Sequence, residues 1–472
     1  MKSYINKIIF GALLIVVSSC GDFFEESSQS EIKPSTIEDL AAVLYAEAYP
    51  YNVSTDAYLI LLTDEVQCNG LTNDAYADNL KSGQPVFCFD DEMFDGIKSF
   101  VSDENSWKTY YELIMGCNVI MDNVDDMDGD ATSKRYVKGQ ALFLRGYYYL
   151  KLATIYCQPY RNNPESNLGV PLMLTSHVSD QFPSRSTLKE TYAQIESDVK
   201  EAAELLEGYE PTTKFRVTKT AAHALLSRIY LFEENWEQTV YYANLAIDEG
   251  PLLSNFSSLQ SSSAGVCDAN SSSEVVWNYQ GRVIGATYFT ASSSYWGYTK
   301  PFTLSNSVKS LYDSSNDLRY NLFKDSYSSD YCFIQKNSFS ETYSGEHGIR
   351  MAEVYLNRAE ANARLGKTSS ALADINKLRE TRYASGTYND VSISDQTELL
   401  NFVLDERQRE YVWEEGLRWM DIKRLGLAVT HTYVDAEGNS STYNLSANDP
   451  LYALPIPQDA LSRNENLVQN PR

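Results

Sequence analysis

"TKTAAHALLSRIYLFEENWEQTVYYANLAI", residues Thr218–Ile247, contains two runs of helix-forming residues that are separated only by Glu233-Glu234-Asn235. A second stretch, Arg350–Tyr383, has the same order around the turn Gly366-Lys367-Thr368. The two stretches align at an offset of 132 residues. The helices predicted from them are 218–232 and 236–247 in the first pair, and 350–365 and 369–383 in the second.

These pairs have the spacing of tetratricopeptide repeats, in which helix, tight turn and helix occupy about 34 residues. Thr239 aligns with Ala371 and Ala243 aligns with Ile375, although neither pair carries the full repeat consensus. Generic antiparallel helical hairpins are the alternative interpretation. Both interpretations predict a mainly α scaffold of helical hairpins, and we favour the tetratricopeptide-like form.

Four further segments have helical periodicity, and two of them follow cap residues, Ser35-Thr36 and Ser186-Thr187. They are "EDLAAVLYAEAY" (38–49), "WKTYYELIMGCNVIMDNV" (107–124), "ALFLRGYYYLKLATIY" (141–156) and "LKETYAQIESDVKEAAELL" (188–206). We therefore predict a single domain over 35–472. It consists of a helical scaffold (about 35–249 and 349–430), a long loop-rich insertion (about 250–348) with the strand-like "EVVWNYQGRV", and an irregular C-terminal segment (431–472).

The N-terminus has the features of an export signal. "IIFGALLIVVSSC", Ile8–Cys20, follows two lysines, and its apolar run is shorter than the roughly 20 residues that a bilayer requires. We interpret residues 1–19 as a signal peptide. Val17-Ser18-Ser19-Cys20 resembles a bacterial lipobox, which makes Cys20 the expected lipid attachment site; an accidental cysteine is the alternative. Residues 20–34 are then a flexible acidic, serine-rich tether.

The net charge of the chain narrows the choice of binding partners. The formal net charge is −25, or −27 without the two lysines of the signal peptide. This balance argues against nucleic acid, whose binding depends on Lys and Arg, and we expect membrane contact through the lipid anchor only.

The six cysteines other than Cys20 form no Cys-x-x-Cys pair. A Cys68–Cys88 disulfide and buried free thiols both remain open.

The usual catalytic motifs are missing from the sequence, including Gly-x-Gly-x-x-Gly, His-Glu-x-x-His and Gly-x-Ser-x-Gly. "LGKTS" at Leu365–Ser369 imitates the end of a phosphate loop, but Ala361 stands where the first glycine is required. The histidines at 177, 223, 347 and 431 are scattered singly, so we expect each of them to be structural, and no pair of carboxylates stands out as acid and base. We predict a binding protein without catalytic residues, metal site or cofactor.

"VLDERQREYVWEEGLRWMDIKRLG", Val403–Gly426, resembles the E-R-x-x-E-[LF]-x-x-E-G-x-R-[WF]-x-D-[LI]-x-R signature of the SusD/RagB lipoproteins. The matching residues are Glu406, Arg407, Glu410, Glu415, Gly416, Arg418, Trp419, Asp421 and Arg424. "YALPIPQDALSRNENLVQNP", Tyr452–Pro471, resembles the family's closing tail, although Arg472 stands where a glycine is common. The resemblance covers essentially the whole mature chain.

The signature also has a physical interpretation of its own. Two pairs of opposite charge are four residues apart: Asp405 with Arg409, and Glu414 with Arg418. Exposed pairs of this kind stabilise a helix by only about 0.2–0.5 kcal/mol each. Buried against the two tryptophans of the motif, an Arg–carboxylate fork would instead fix packing geometry. The functional alternative, which we disfavour, makes catalytic acids of Glu410, Glu414 or Glu415.

The resemblance implies a protein that binds nutrient glycans at the cell surface, in the outer membrane, as the hinged lid of a SusC-like TonB-dependent barrel. In such a site, sugar rings stack on aromatic planes and hydroxyls bind polar side chains. The candidate residues are Tyr288, Tyr295, Trp296 and Tyr298, with Trp277 and Tyr279 behind them, and Asn73, Tyr76 and Asn79 as a second wall. Each aromatic residue could equally be packing, Trp277 more so. Peptide or protein uptake and a purely protein-binding scaffold are the alternatives.

Overall fold

The computed structural model of the chain describes residues 34–50, 56–71, 73–94, 106–177, 182–262, 264–279, 300–326, 328–334, 336 and 347–471, with the backbone alone for 324–326 and 328–334. Helices dominate these ranges, as predicted. The α-helices are α1 (Ile37–Val43), α2 (Ala77–Phe87), α3 (Ser106–Asn123), α4 (Ala131–Tyr156), α5 (Leu188–Leu205), α6 (Lys219–Phe232), α7 (Trp236–Glu249), α8 (Phe256–Ser262), α9 (Asn306–Lys309), α10 (Met351–Arg364), α11 (Thr368–Glu380), α12 (Gln396–Tyr411), α13 (Leu417–Leu425) and α14 (Gln458–Arg463).

Short strands form four two-stranded antiparallel sheets within the described ranges. The strands are β1 (Val66–Cys68), β2 (Val275–Tyr279), β3 (Phe302–Leu304), β4 (Phe323–Ser326), β5 (Ser328–Ile334), β6 (His347–Arg350), β7 (Val429–Val434) and β8 (Ser440–Leu445). β1 pairs with β3, β2 with β6, β4 with β5 and β7 with β8. Three of these sheets therefore belong to the insertion or join it to distant parts of the chain.

The two predicted helical hairpins are α6–α7 and α10–α11, and α10 packs against both α6 and α7. Each turn contains a residue with left-handed backbone, Glu234 at φ 60° and Gly366 at φ 73°. The positions aligned by the offset of 132 residues are fully buried in both hairpins: Thr239 and Ala371, and Ala243 and Ile375. The helical-hairpin scaffold is confirmed, and its likeness to tetratricopeptide repeats stays an interpretation.

α4 is the central helix and lies between α3 and α5. The sequence predicted one buried face, but every residue from Gly139 to Tyr156 is buried. Its tyrosines tolerate this burial because their hydroxyls find acceptors. Tyr148 donates to the carbonyl of Ala48 at 2.5 Å, and Tyr149 donates to the carbonyl of Met173 at 2.7 Å. The abundance of tyrosine in this chain is thus partly a feature of its core.

Both predicted helix caps are present. Thr36 begins α1 with a capping box to Asp39, and Thr187 begins α5 with a capping box to Glu190. In each box the threonine oxygen accepts from the backbone N–H three residues on, and the acidic side chain accepts from the N–H of the threonine. These local signals were sufficient to place two helix starts to within a residue.

Two regions predicted as irregular contain regular structure. The segment 431–472 includes most of the β7–β8 hairpin and α14, and the insertion contains β2, β3, β4, β5, α8 and α9.

The cysteines at 68, 88, 117, 157 and 267 are free, so the Cys68–Cys88 disulfide is absent and the free-thiol alternative holds for these five. Burial raises the pKa of the Cys88 thiol to about 12. Its sulfur is therefore a neutral thiol at physiological pH.

Candidate functional site

β1 and β3 pair the strand that precedes residues 69–79 with the strand that follows residues 280–299 in the sequence. The three pairs of this ladder are Val66 with Leu304, Gln67 with Thr303 and Cys68 with Phe302. Beyond the ladder, the Asn69 N–H donates to the carbonyl of Pro301 at 2.8 Å, and Asn69 Nδ2 donates to Thr303 Oγ1 at 2.8 Å. The loop from Asn69 to Asn79 therefore begins beside the point at which the chain leaves residues 280–299.

Asn73, Tyr76 and Asn79 occupy this loop and the first turn of α2, and all three are half-buried. Asn73 Oδ1 accepts a hydrogen bond of 2.8 Å from the Ala75 N–H, which fixes the short 3₁₀ turn Asp74–Tyr76. The bond engages the amide oxygen, and the amide NH₂ is a donor of the kind that sugar hydroxyls require. The three residues of the predicted second wall thus lie at the short 3₁₀ turn and in the first turn of α2.

The remaining candidates divide into two groups. Tyr288, Tyr295, Trp296 and Tyr298 lie outside the described residues. For Trp277 and Tyr279, the assignment as ligand contacts is wrong, because the two residues are 0% and 3% exposed. The Trp277 ring packs edge-on against Phe143 and Tyr147, with centroids 5.2 and 5.1 Å away. β2 is buried on both faces, so its rings belong to the core.

Beneath the insertion lies a group of buried polar residues that we call the root cluster: Asp56, Tyr147, Lys151, Tyr279, His347 and Glu415. Lys151 Nζ lies 2.6 Å from Asp56 Oδ2 and 3.6 Å from Glu415 Oε1. The Tyr147 hydroxyl donates to Glu415 and lies 3.0 Å from the Tyr279 hydroxyl. The His347 ring stacks on Tyr279, with centroids 5.2 Å apart.

Charges within the root cluster stabilise one another. Burial opposes ionisation of Glu415, but Lys151 and His347 outweigh it and hold the pKa of Glu415 well below its usual range. Burial also disfavours the imidazolium of His347, but its hydrogen bond of 3.1 Å and its attraction to Glu415 raise the net pKa above 6.5. Glu415 is therefore an anion, and His347 is held toward its charged form.

A second buried group, the arginine clamp, consists of Glu274, Arg319, Arg350, Arg382 and Glu410. Glu410 accepts from Arg319 Nη1 at 3.0 Å, from Arg350 Nη1 at 2.9 Å and from Arg382 Nη2 at 2.8 Å. Despite burial, Arg382 and Arg350 hold the pKa of Glu410 well below its usual value. The clamp joins α12 to the insertion and to the end of α11.

These contacts correct the predicted ion pairs of the signature. Arg409 binds Glu406 at 2.8 Å rather than Asp405, and Arg418 binds Asp64 at 2.5 Å rather than Glu414. The alternative interpretation, a buried packing fork, is confirmed with different partners, since these carboxylates face buried cations. Glu410, Glu414 and Glu415 all have lowered pKa values. Glu410 and Glu414 accept from Arg350, and Glu415 faces Lys151 and His347, which is the arrangement of a packing clamp.

Sequence reasoning missed half of the root cluster, namely Asp56, Tyr147 and Lys151. Lys151 had a usable signal, because a lysine inside the apolar run "YYYLKLATIY" requires a buried partner. Asp56 had none, because its partner lies far along the chain. His347 was expected to be structural, and its contacts with Glu415 and Tyr279 agree with that expectation.

Within the described ranges, no helix is both long enough and apolar enough to cross a membrane. The same residues contain no group of three or more His, Cys, Asp or Glu side chains that could hold a metal ion.

The stacked hairpins, the short sheets and the loops that they present define the class of the molecule as an α-helical scaffold with an inserted loop region. Comparison with known proteins identifies the family. The family described as "Starch-binding associating with outer membrane" matches residues 22–231, and the SusD family matches residues 273–472. The chain belongs to the SusD/RagB family, whose members are outer-membrane-associated binding proteins.

Relatives match over nearly the full length. SusD-like protein P2 of Formosa agariphila is 25% identical, and the alignment covers 100% of this chain and 99% of that protein. A SusD superfamily protein from Bacteroides thetaiotaomicron has a TM-score of 0.75 at 23% identity, covering 93% of this chain and 100% of the other. A SusD-like carbohydrate binding protein from Bacteroides vulgatus has a TM-score of 0.68 at 21% identity, covering 92% and 97%. The solved structures confirm the mainly α fold.

Proposed function

We propose that this protein is a lipid-anchored, surface-exposed glycan-binding protein that works with a SusC-like TonB-dependent barrel in uptake across the outer membrane. The observation that carries the proposal is the β1–β3 junction. It joins the loop of Asn73, Tyr76 and Asn79 to the end of the segment that contains Tyr288, Tyr295, Trp296 and Tyr298. The starch-binding description of the matching family and the carbohydrate-binding relative support the choice of ligand.

The proposed mechanism is binding without chemistry. Aromatic rings supply flat apolar surfaces for the C–H faces of sugar rings, at about 0.5–1.5 kcal/mol for each contact. Micromolar affinity requires about −8 kcal/mol, so several rings must act together with amide donors such as those of Asn73 and Asn79. The glutamates described above face buried cations, which is consistent with a structural role for them.

Titration calorimetry of the protein without its signal peptide tests the site, with a panel of polysaccharides and a panel of peptides. We expect binding to at least one glycan and about two- to tenfold weaker binding for Trp296→Ala and for Tyr295→Ala, from the loss of one stacking contact. Tyr241→Ala is the matched control, because Tyr241 is an aromatic residue that is 53% exposed on α7. Unchanged affinity in both site variants would refute the site, and binding to peptides alone would refute the ligand class.

The anchor and the partner are tested in membranes. Metabolic labelling with a fatty acid should mark the wild-type protein and fail to mark Cys20→Ser. A β-barrel receptor should co-purify with the wild-type protein from detergent-solubilised outer membranes. A mature N-terminus without fatty acid would refute the anchor, and repeated recovery of the protein alone would refute the proposed role as a lid.

A further inference from the structure

The second wall (Asn73, Tyr76 and Asn79) lies at the N-terminal end of α2, a helix whose sequence is a poor helix former. α2 is the 11-residue segment "ADNLKSGQPVF", with Gly83 and Pro85 in its interior. Glycine and proline are the two least favourable residues inside a helix. A helix as short as α2 is also marginal in isolation. The position of α2, and of the wall before it, therefore depends on contacts with other elements.

The first of these contacts is the packing of Gly83 on β3. A methyl group at Gly83 would lie 2.9 Å from Phe302 Cζ and closer still to Phe302 Cε2, so there is no space for any side chain. Phe302 is fully buried, and its ring also packs against Phe87 one turn further along α2, with centroids 5.1 Å apart. The ring of Phe302 therefore rests directly on the backbone of α2, which only glycine permits at this position.

Phe302 also holds the chain on the other side of the wall. In the β1–β3 ladder, Phe302 is the partner of Cys68. The next residue, Asn69, donates through its N–H to the carbonyl of Pro301 at 2.8 Å. One residue of β3 is thus in contact with the chain just before the wall, at β1, and just after it, at Gly83.

The C-terminal end of α2 is fixed separately, against β7. The Phe87 ring stacks on the His431 ring, with centroids 4.0 Å apart. The two nitrogens of His431 lie 2.7 Å from the Phe87 carbonyl and 2.9 Å from the Thr63 carbonyl. Because these contacts hold the end of α2, a displacement forced at Gly83 is transmitted toward the N-terminal end, where the wall lies.

We propose that Phe302 is a positioning residue for the glycan site, which packs on Gly83 and so holds Asn73, Tyr76 and Asn79 in a preformed arrangement. This inference rests on the proposed function, in which the three wall residues contact the glycan. Groups that are ordered before the ligand arrives bind it more tightly, because their ordering costs no entropy at that step. Core packing alone predicts a loss of stability when this contact is disturbed, whereas positioning predicts a loss of affinity as well.

The test pushes α2 off β3 and then restores the space. Gly83→Ala places a methyl group against the Phe302 ring, and Phe302→Leu in the same chain removes the ring carbons that the methyl group meets. In titration calorimetry with a glycan that binds the wild type, we expect about tenfold weaker binding for Gly83→Ala. The double variant should recover most of this loss, because the added and the removed side-chain volumes are similar.

Gly146→Ala is the matched control. Gly146 is a buried glycine of α4, and a methyl group there would lie 2.6 Å from Val199 Cγ2 on α5. Neither helix includes a wall residue, so this variant should lose stability in urea denaturation and keep the wild-type affinity. Hydrogen exchange followed by mass spectrometry supplies a measurement without ligand. Exchange over residues 73–88 should be faster in Gly83→Ala and unchanged in Gly146→Ala.

Phe302→Leu alone keeps the test decisive if Gly83→Ala fails to fold, since the smaller side chain leaves Gly83 without its contact and should weaken binding severalfold. Wild-type affinity in Gly83→Ala or in Phe302→Leu, no recovery in the double variant, or an equal loss in Gly146→Ala would overturn the positioning role. A wild type that binds no glycan would instead refute the proposed function. The exchange rates over residues 73–88 would then still show whether Phe302 holds the wall, so the two failures are distinguishable.

Discussion

Glu410 and Glu415 lie five residues apart in one motif, yet they hold together different parts of the molecule. Among the described residues, the hydrogen bonds to the carboxylate of Glu410 come from guanidinium groups, which stay charged at every accessible pH. Glu415 contacts a phenol, an imidazole and a backbone N–H, and it also lies 3.6 Å from Lys151 Nζ and 3.5 Å from Arg228 Nη1. The arginine clamp is therefore a permanent fastening of the scaffold, whereas the root cluster can respond to conditions near neutrality. Two buried ion networks of similar composition can thus differ in how strongly they respond to pH.

The largest expected effect comes from breaking the clamp. Glu410→Gln leaves Arg319, Arg350 and Arg382 buried with one carboxylate fewer, and an uncompensated buried charge costs about 3–5 kcal/mol. Urea denaturation of the purified variant measures this loss. Glu437→Gln, on an exposed turn, is the control. A loss below about 1 kcal/mol for Glu410→Gln would contradict the central place of this residue in the clamp.

The two regions should lose stability at opposite ends of the pH scale. Despite burial, Arg319, Arg379 and Arg409 lower the pKa of Glu406, beside the clamp, from 4.5 to about 2. Its stabilisation, about 3 kcal/mol by linkage, is complete above pH 4.5 and is lost as the pH falls toward 2. The raised pKa of His347 gives the reverse: its stabilisation is complete below about pH 6.5 and is lost as the pH rises through the folded value.

Denaturant midpoints measured from pH 3 to pH 9 check both signs. His347→Gln should remove the alkaline decline and leave the acid decline in place. If the stability of His347→Gln still declines at alkaline pH, a group other than His347 causes that decline.

The smallest effect is expected on the surface. Lys108 Nζ lies 3.4 Å from Glu112 Oε1 on α3, and the two side chains are 67% and 61% exposed. Solvent screens such pairs, so Lys108→Ala should change the free energy of unfolding by no more than about 0.5 kcal/mol. If the same denaturation shows a larger change, burial is not the reason why the arginine clamp contributes more to stability than this surface pair.

Local patterns predicted much of the scaffold. The hairpin turn at Gly366 and the caps at Thr36 and Thr187 are short-range features, and the sequence shows them directly. The β7–β8 hairpin was missed although it had a signal: Val429–Val434 is rich in β-branched residues, and the turn Asp435–Asn439 follows. The density of Tyr, Asn and Pro in the C-terminal segment hid that signal.

The candidate site was harder to predict because its contacts are long-range. Arg418 has Glu414 four residues away, yet its partner is Asp64, 354 residues distant. Spacing along a helix cannot reveal a competitor from another element. Trp277 and Tyr279 were misassigned for a related reason: the pattern of a strand does not show whether one face or both faces will be covered.

The central position of α4 also sets the order in which the molecule can be completed. The Leu454 N–H donates to the Ile155 carbonyl at 3.0 Å, and Asn470 Nδ2 donates to the Tyr156 carbonyl at 2.8 Å, across 314 residues. A ribosome makes those late partners last. The C-terminal end of α4 therefore lacks these two partners until synthesis is almost finished, although α3 and α5 can cover the rest of the helix much earlier.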